Sequence, residues 1–222
     1  MRRVVVVVAL LALALPMAAW ADTIVTTNQT GTIAITDPNG GLGTIGSSTI
    51  TSKGSELTNF TGGGIDVTSG KGSSLGSLSF STGTLATGSV SGGGTFNGGG
   101  SFTIVGQGAW LAGLPGSPKG KTTLFTGSFV GPIDWIFDGK AGPKLTFTLT
   151  GDIAGTLYNG VSVTGSTTQT FYTYNGQLIA GIGHITVGNT TLSTVPEPGT
   201  LGLLGTGLVG IAGIFRRKLM AP

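Results

Sequence analysis

The sequence of 222 residues contains no cysteine and a single histidine, His184. The absence of cysteine excludes disulfide bonds, thiolate metal sites and a cysteine nucleophile. One histidine cannot form a multi-histidine metal site, and no local motif supplies the carboxylate that would orient His184 as a catalytic base. These absences favour a protein that has no metal centre and no catalytic histidine.

Charge is also scarce, because Asp, Glu, Lys and Arg together make up 9% of the chain, against about a quarter in ordinary globular proteins. Disordered proteins usually carry a high net charge, whereas this chain has a net charge of +3. Residues 22–194 hold seven acidic and six basic residues. The positive charge therefore lies at the two termini, and no basic patch for nucleic acid is predicted.

Glycine, serine and threonine dominate the rest of the chain, with 43 glycines in all. β-Branched and aromatic residues are scattered between them, which favours β-strands over disorder. Phe96 and Phe102 stand six residues apart, as do the glycine triplets that precede them. We interpret this imperfect repeat as short strands joined by tight glycine turns, with a small solenoid-like coil as the alternative.

The second half of the chain alternates more clearly between apolar and polar residues. Leucine and phenylalanine alternate with threonine over residues 145–150, and Ile133, Trp135 and Phe137 share one side of another segment. This period of two is typical of a strand with one buried face. Further strands are predicted at 122–130, 158–164, 167–174 and 177–187, with Asn-Gly turns at 159–160 and 175–176. The sequence thus predicts an all-β exported domain over residues 22–194, folded as an antiparallel sandwich or barrel.

The amino terminus predicts export. Two arginines precede an apolar run over residues 4–15, and Ala-Trp-Ala at 19–21 follows as a small-x-small cleavage site. The apolar run is shorter than the roughly 20 residues that a membrane span needs. We therefore predict a secretory signal peptide over residues 1–21, which signal peptidase cuts between Ala21 and Asp22 after the secretion machinery has engaged it.

Two motifs match cofactor-binding patterns in sequence but lack the structural context that those patterns require. Residues 41–46 read GLGTIG and match the GxGxxG of dinucleotide sites, but a β-prone stretch follows where that fingerprint needs a helix. Gly120-Lys121-Thr122 resembles the end of a phosphate-binding loop, yet Pro115 stands where the first glycine is required. No cofactor and no metal ion are predicted.

A carbohydrate site is the main alternative that residues 22–194 offer. Asp134 and Asp138 lie four apart in a predicted strand, about 13 Å at roughly 3.3 Å per residue, which exceeds the separation of glycosidase carboxylate pairs. Either could instead pair with Asp152 across strands. An aromatic platform for a sugar could be formed by Trp110, Trp135, Tyr158, Tyr172 and Tyr174.

Residues 195–222 differ in character from the rest of the chain. Pro196 and Pro198 remove two backbone donors and hold residues 195–199 extended and accessible. Residues 200–215 are uncharged and mostly apolar, and as a helix they would measure about 24 Å, just enough to span a membrane with their flanks. The basic cluster would stay cytoplasmic by the positive-inside rule, and it consists of Arg216, Arg217 and Lys218. The tail thus predicts one transmembrane helix that leaves residues 22–194 outside.

These three elements, a Val-Pro-Glu-Pro motif, a short apolar span and a terminal basic cluster, resemble in their order the PEP-CTERM sorting signal of Gram-negative bacteria. The resemblance covers residues 195–218, and Leu-Met-Ala-Pro trails after the basic cluster where many members stop sooner. It implies recognition at Pro196-Glu197-Pro198 by exosortase, a membrane-embedded protease or transpeptidase. The tail would then be removed and the protein delivered to the cell envelope or exterior, commonly alongside exopolysaccharide.

Together these observations predict a non-enzymatic exported protein of the envelope or extracellular matrix, transiently anchored in the inner membrane. A carbohydrate-binding module or glycan hydrolase is the first alternative. An outer-membrane β-barrel is the second, because threonine and glycine alternating with apolar residues suit lipid-facing strands.

Overall fold

The computed structural model describes residues 23–38, 43–70, 73–174 and 183–195. These residues form one 3-10 helix, Ala109–Gly113, and twelve strands: β1 (Thr23–Gln29), β2 (Thr32–Thr36), β3 (Thr49–Gly62), β4 (Ile65–Thr68), β5 (Gly76–Ser81), β6 (Leu85–Ser89), β7 (Gly93–Phe96), β8 (Gly99–Gln107), β9 (Lys121–Ala141), β10 (Lys144–Leu157), β11 (Ser162–Tyr174) and β12 (Gly183–Thr194). The predicted signal peptide, residues 1–21, and the predicted transmembrane helix, residues 200–215, lie outside the described residues. Within the described ranges, no helix has the length and hydropathy of a membrane span.

The sheet closes on itself as an eight-stranded antiparallel barrel. Around the barrel the order is β10, β11, β12, β1, β3, β5, β8 and β9, and β9 pairs again with β10. β2 continues the line of β1 along β3, and β7 continues the line of β8 along β9. Neighbours in the barrel are thus neighbours along the chain, which is the up-and-down arrangement. The all-β prediction is confirmed, and of the two predicted forms the chain adopts the barrel.

β9 is longer than the sequence predicts, because it joins the strands predicted at 122–130 and around Trp135. Its register with β10 breaks after Phe129 and resumes at Ile133. Gly131, with φ of 87°, and Pro132 occupy this bulge, a position where a strand tolerates proline. The glycine and proline therefore mark a bulge and not the end of a strand.

β11 is also longer than predicted, since it covers Ser162–Tyr174 without the break expected between 164 and 167. Tyr158 lies in the turn before it and not in the strand. The Asn-Gly turn at 159–160 is confirmed, and Gly160 has a φ of 82°. The turn predicted at 175–176 lies outside the described residues.

Aromatic side chains pack one half of the barrel interior, mainly along β5, β8, β9 and β10, and Phe171 of β11 joins them with its ring centroid 5.7 Å from that of Trp135. Phe80, Phe102 and Phe129 are buried, with ring centroids 5.7 to 5.9 Å apart. Trp135 stacks on Phe147 at 4.8 Å. Such pairs contribute about 0.5–1.5 kcal/mol beyond the area that they bury. An eight-stranded barrel is just wide enough for side chains to fill, and here the rings fill this half.

The other half of the interior, along β1, β3, β11 and β12, contains a polar network. Nδ2 of Asn28 donates to Oε1 of Gln169 at 2.8 Å and to Oγ of Ser55 at 2.7 Å. Nε2 of Gln169 donates in return to Oδ1 of Asn28 at 3.2 Å and to Oγ1 of Thr167 at 2.9 Å. All four residues are buried. A Cβ at Gly188 would collide with both amides, so the pair spans β12 only because glycine stands there.

The loop between β8 and β9 covers one end of the barrel. The N–H of Gly108 donates to the carbonyl oxygen of Gly120 at 3.4 Å, so the ends of the loop meet, as in an Ω-loop. Leu111 and Leu114 of this loop are buried in the barrel end, and the hydroxyl of Tyr158 donates to a loop carbonyl at 2.8 Å. The cavity left beneath the loop measures about 40 Å³, which is room for only a few water molecules.

Replacing Gln169 with leucine should destabilise the barrel, because Oδ1 of the buried Asn28 then loses its donor. An unsatisfied buried polar group costs about 1–3 kcal/mol, and urea unfolding of the purified protein should report a loss of that size. Thr168→Leu, at the neighbouring outward position, is the control and should change the free energy of unfolding by less than about 0.5 kcal/mol. Equal unfolding midpoints for the two variants would contradict a structural role for the amide pair.

Candidate functional site

The outward face of β10 and β11 carries a ladder of threonine hydroxyls. Oγ1 of Thr148 lies 3.5 Å from that of Thr170, and Oγ1 of Thr150 lies 3.4 Å from that of Thr168. The ladder follows from the alternation of the strands, since the residues between these threonines point into the core. β-Branched threonine suits a strand and remains polar toward water. This face therefore offers repeated hydrogen-bond donors and acceptors.

An aromatic patch lies at one end of this face, and we define it as Tyr172, Tyr174, His184 and Lys144. The Tyr172 ring lies 5.4 Å from the rings of both Tyr174 and His184. Nζ of Lys144 stands 3.9 Å from the centroid of the Tyr172 ring, within the range of a cation–π contact. The strand register places Tyr172 opposite His184 and Tyr174 opposite Lys144. Tyr174 is 51% exposed, so the patch presents a solvent-exposed aromatic ring together with the positive charge of Lys144.

The structure divides the five aromatic residues that the sequence suggests as one platform. The prediction that Trp135 belongs to a sugar-binding platform is wrong, because its side chain is buried in the core and only 1% exposed. Trp110 packs on Phe60 at 4.9 Å and donates from Nε1 to a backbone carbonyl at 2.7 Å. Tyr158 holds the Ω-loop. Tyr172 and Tyr174 are the two that come together on the outward face.

The candidate carboxylates are all exposed on the barrel surface. Asp134 lies opposite Thr150, and Asp152 stands two residues further along β10, where the register with β9 breaks. Asp138 accepts a hydrogen bond from the hydroxyl of Thr148 at 2.7 Å. A glycosidase acid sits in a desolvated pocket. The exposed positions of the three carboxylates differ from the desolvated setting of such an acid.

A groove of about 470 Å³ crosses the outward face of β9 to β12. Its polar lining consists of Asp152, Thr164, Ser166, Thr191 and Ser193. The groove is largely open to solvent, whereas small-ligand pockets usually bury most of the ligand surface. The groove offers hydroxyls and one carboxylate, and the residues that line it include no aromatic ring on which a sugar could stack.

The part of the chain that the structure describes contains no group of three or more histidine, aspartate or glutamate side chains placed to hold a metal ion. In the β3–β4 hairpin, Asp66 accepts a hydrogen bond from Thr61 at 3.0 Å, so its carboxylate ties the two strands together. His184 is exposed and contacts the Tyr172 ring. Asp66 and His184 thus each make a local contact with a neighbouring strand.

The sequence analysis did not predict that Lys144 and His184 lie beside Tyr172 and Tyr174. Lys144 begins β10, Tyr172 lies in β11 and His184 is the second residue of β12. A single-strand pattern cannot join residues from three strands, because their proximity depends on the register between strands. The one available signal was the alternation that places Tyr172 and Tyr174 on the same side of one strand.

The first and last strands bring the two ends of the domain to one rim of the barrel. Thr23, which begins β1, pairs with Ser193, and Thr194, which ends β12, pairs with Val163. Val195 follows and is 42% exposed. The predicted functional residues of both termini lie outside the described residues, namely Ala21, Asp22, Pro196, Glu197, Pro198, Arg216, Arg217 and Lys218.

Residues 194–218 match the family model of the PEP-CTERM protein-sorting motif. The chain carries a PEP-CTERM sorting motif. The predicted resemblance over residues 195–218 is thereby confirmed. Neither a curated protein nor a solved structure matches the chain. The PEP-CTERM match begins at the last residue of β12, so the sorting motif follows the barrel directly.

Proposed function

We propose that the protein is an exported, non-enzymatic β-barrel that exosortase processes at Pro196-Glu197-Pro198 and that then reaches the cell envelope or the extracellular matrix. The PEP-CTERM match over residues 194–218 carries this proposal. Such a motif implies export, an anchored passage through the membrane and exosortase as the processing partner. The barrel is the part of the chain that remains after processing.

The proposed route uses both ends of the chain. Signal peptidase cuts between Ala21 and Asp22, and residues 200–215 hold the chain in the inner membrane until exosortase acts. The cluster Arg216-Arg217-Lys218 keeps the extreme end cytoplasmic. The two prolines of the motif favour an extended backbone, which is the form that proteases bind.

The described part of the barrel supports a role in display or binding over a role in catalysis. Active sites usually gather titratable groups in a concave pocket. Here Asp134, Asp152 and His184 are exposed, the groove that Asp152 lines is largely open to solvent, and the cavity beneath the Ω-loop measures only about 40 Å³. The described surface instead carries the threonine ladder and the aromatic patch.

The burial pattern argues against the outer-membrane alternative. Outer-membrane barrels turn an apolar band toward lipid and polar residues toward the lumen. In this barrel Phe102 and Phe147 are buried inside, whereas the outward residues Thr148, Thr150 and Thr168 are polar. Recovery of the exported protein only in the presence of detergent would restore the alternative.

Changing Pro196-Glu197-Pro198 to Ala-Ala-Ala should block processing, because it removes the motif that exosortase is expected to recognise. The variant should keep its tail and accumulate in the inner-membrane fraction, as measured by intact mass and by immunoblotting of cell fractions. A matched control changes Leu219 and Met220, which lie beyond the family match, to alanine and should be processed normally. Normal processing of the Ala-Ala-Ala variant would refute the proposal.

The aromatic patch supports a second candidate function, the binding of a carbohydrate. Sugars place their apolar ring faces on exposed aromatic rings and their hydroxyls on polar side chains. Tyr174 is 51% exposed, and the threonine ladder beside it supplies hydroxyl groups. Lys144 adds a positive charge, which favours an anionic polysaccharide.

The double variant Tyr172→Ala/Tyr174→Ala should bind exopolysaccharide from the native host at least about tenfold more weakly, because loss of an aromatic anchor costs upward of about 1–2 kcal/mol. Affinity electrophoresis measures the change, and circular dichroism checks that the variant is folded. Val187→Ala, which changes a residue 52% exposed on the neighbouring strand, is the control. Equal binding by the double variant and the control would refute the patch as a site.

A further inference from the structure

The aromatic patch continues sideways into a row of outward residues that crosses five neighbouring strands. Tyr172 of β11 pairs with His184 of β12, and His184 pairs with Thr32 of β2. Thr32 pairs in turn with Lys53 of β3, and Thr146 of β10 lies on the other side of Tyr172. Every residue of this row is exposed or half-buried. The sheet register therefore joins the patch to a second lysine that the patch itself does not include.

The two lysines stand on either side of His184. Nζ of Lys144 lies 3.9 Å from the centroid of the Tyr172 ring, and Lys53 is three strands away from Tyr172. Neighbouring strands are about 4.8 Å apart, so about 14 Å of surface separates the backbone positions of Tyr172 and Lys53. His184 lies between them, with its ring 5.4 Å from the Tyr172 ring. We define Lys144, Tyr172, His184, Thr32 and Lys53 as the basic band.

The basic band contains no carboxylate. The described strands that form or flank it, namely β1, β2, β3, β5 and β9 to β12, carry seven other charged or titratable side chains: Glu56 of β3, Lys121, Asp134, Asp138 and Lys140 of β9, Asp152 of β10 and Tyr174 of β11. Among these, Asp138 accepts a hydrogen bond from Thr148. Residues 175–182, which connect β11 to β12, include no charged residue. The band thus carries the positive charge of two lysines, and a further one when His184 gains a proton.

We propose that the basic band binds one anionic glycan chain that runs across the strands, with Lys144 and Lys53 each holding a negative group and His184 tightening the complex as the pH falls. This inference rests on the second candidate function, the binding of a carbohydrate by the aromatic patch. The distance from Tyr172 to Lys53 exceeds the width of one sugar ring. The band therefore suits a polymer with repeated negative groups rather than a single sugar.

The pH dependence follows from the position of one side chain. His184 is the single histidine of the chain, and histidine is the side chain whose charge normally changes between about pH 5 and 8. Its protonation adds a positive charge between the two lysines, so an anionic chain binds more tightly at the acidic end of this range. Because an exposed charge pair is weak, the expected change in affinity is only about two- to fivefold.

Surface plasmon resonance on immobilised dextran sulfate tests the role of His184, with unsulfated dextran as the neutral probe of the same backbone. Sulfate esters stay ionised between pH 5.5 and 7.5, so the probe does not titrate. The purified protein should bind dextran sulfate about two- to fivefold more tightly at pH 5.5 than at pH 7.5, and His184→Gln should remove this difference. The same pH dependence in the wild type and in His184→Gln overturns the role of His184, and equal affinity for the two polymers overturns the band.

A pair of lysine variants tests the extent of the band. Lys53→Gln should weaken the binding of dextran sulfate by about two- to fivefold, because it removes one of the two fixed charges. Lys121→Gln is the matched control, since it removes the same charge at the opposite end of β9 from Ala141, the partner of Lys144. Equal affinities of the two variants overturn the assignment of Lys53.

The failure of this inference differs from the failure of the function on which it rests. If the wild type binds neither dextran sulfate nor exopolysaccharide from the native host, the carbohydrate function and the band are both wrong. If Tyr172→Ala/Tyr174→Ala abolishes binding while Lys53→Gln and His184→Gln leave it unchanged at both pH values, the band alone is wrong. Circular dichroism of each variant checks that the barrel is folded.

Discussion

The barrel depends on the closure of its sheet at β12, where the last strand meets the first. The Asn28–Gln169 pair crosses this seam and joins residues 141 apart in the chain. A buried amide without a partner costs about 1–3 kcal/mol, so the two amides favour the one register in which both are satisfied. A slip of one residue would turn them outward. Because the seam uses both ends of the domain, the barrel can close only after the whole domain has been made.

The closed barrel also explains why the chain is rich in glycine and threonine. An interior this narrow accepts large rings only where neighbouring positions are small. A Cβ at Gly151 would press on the Phe129 ring, and a Cβ at Gly106 would press on Leu111 and Leu124. Threonine takes many of the outward positions, where a β-branched polar residue suits a strand in water, and Thr167 and Thr190 also add hydroxyls to the polar part of the interior.

Alternation of residue types predicts the faces of the long strands well, because a period of two is a local property. Trp135 and Phe147 are buried as the pattern indicates, whereas Phe137, predicted to share the side of Trp135, is 39% exposed. The pattern does not predict closure, the bulge at Gly131 or the aromatic patch, since these depend on register between strands. The sorting motif is readable from sequence because an extended segment is recognised residue by residue.

The chain ends and the aromatic patch lie at opposite ends of the barrel. β11 has 13 residues and runs from Ser162, near the rim that holds Thr194, to Tyr174 in the patch. A strand of that length covers about 40 Å, or roughly 30 Å along the axis of a barrel whose strands tilt by about 40°. The patch is therefore separated by the length of the barrel from Thr194, the residue at which the PEP-CTERM match begins.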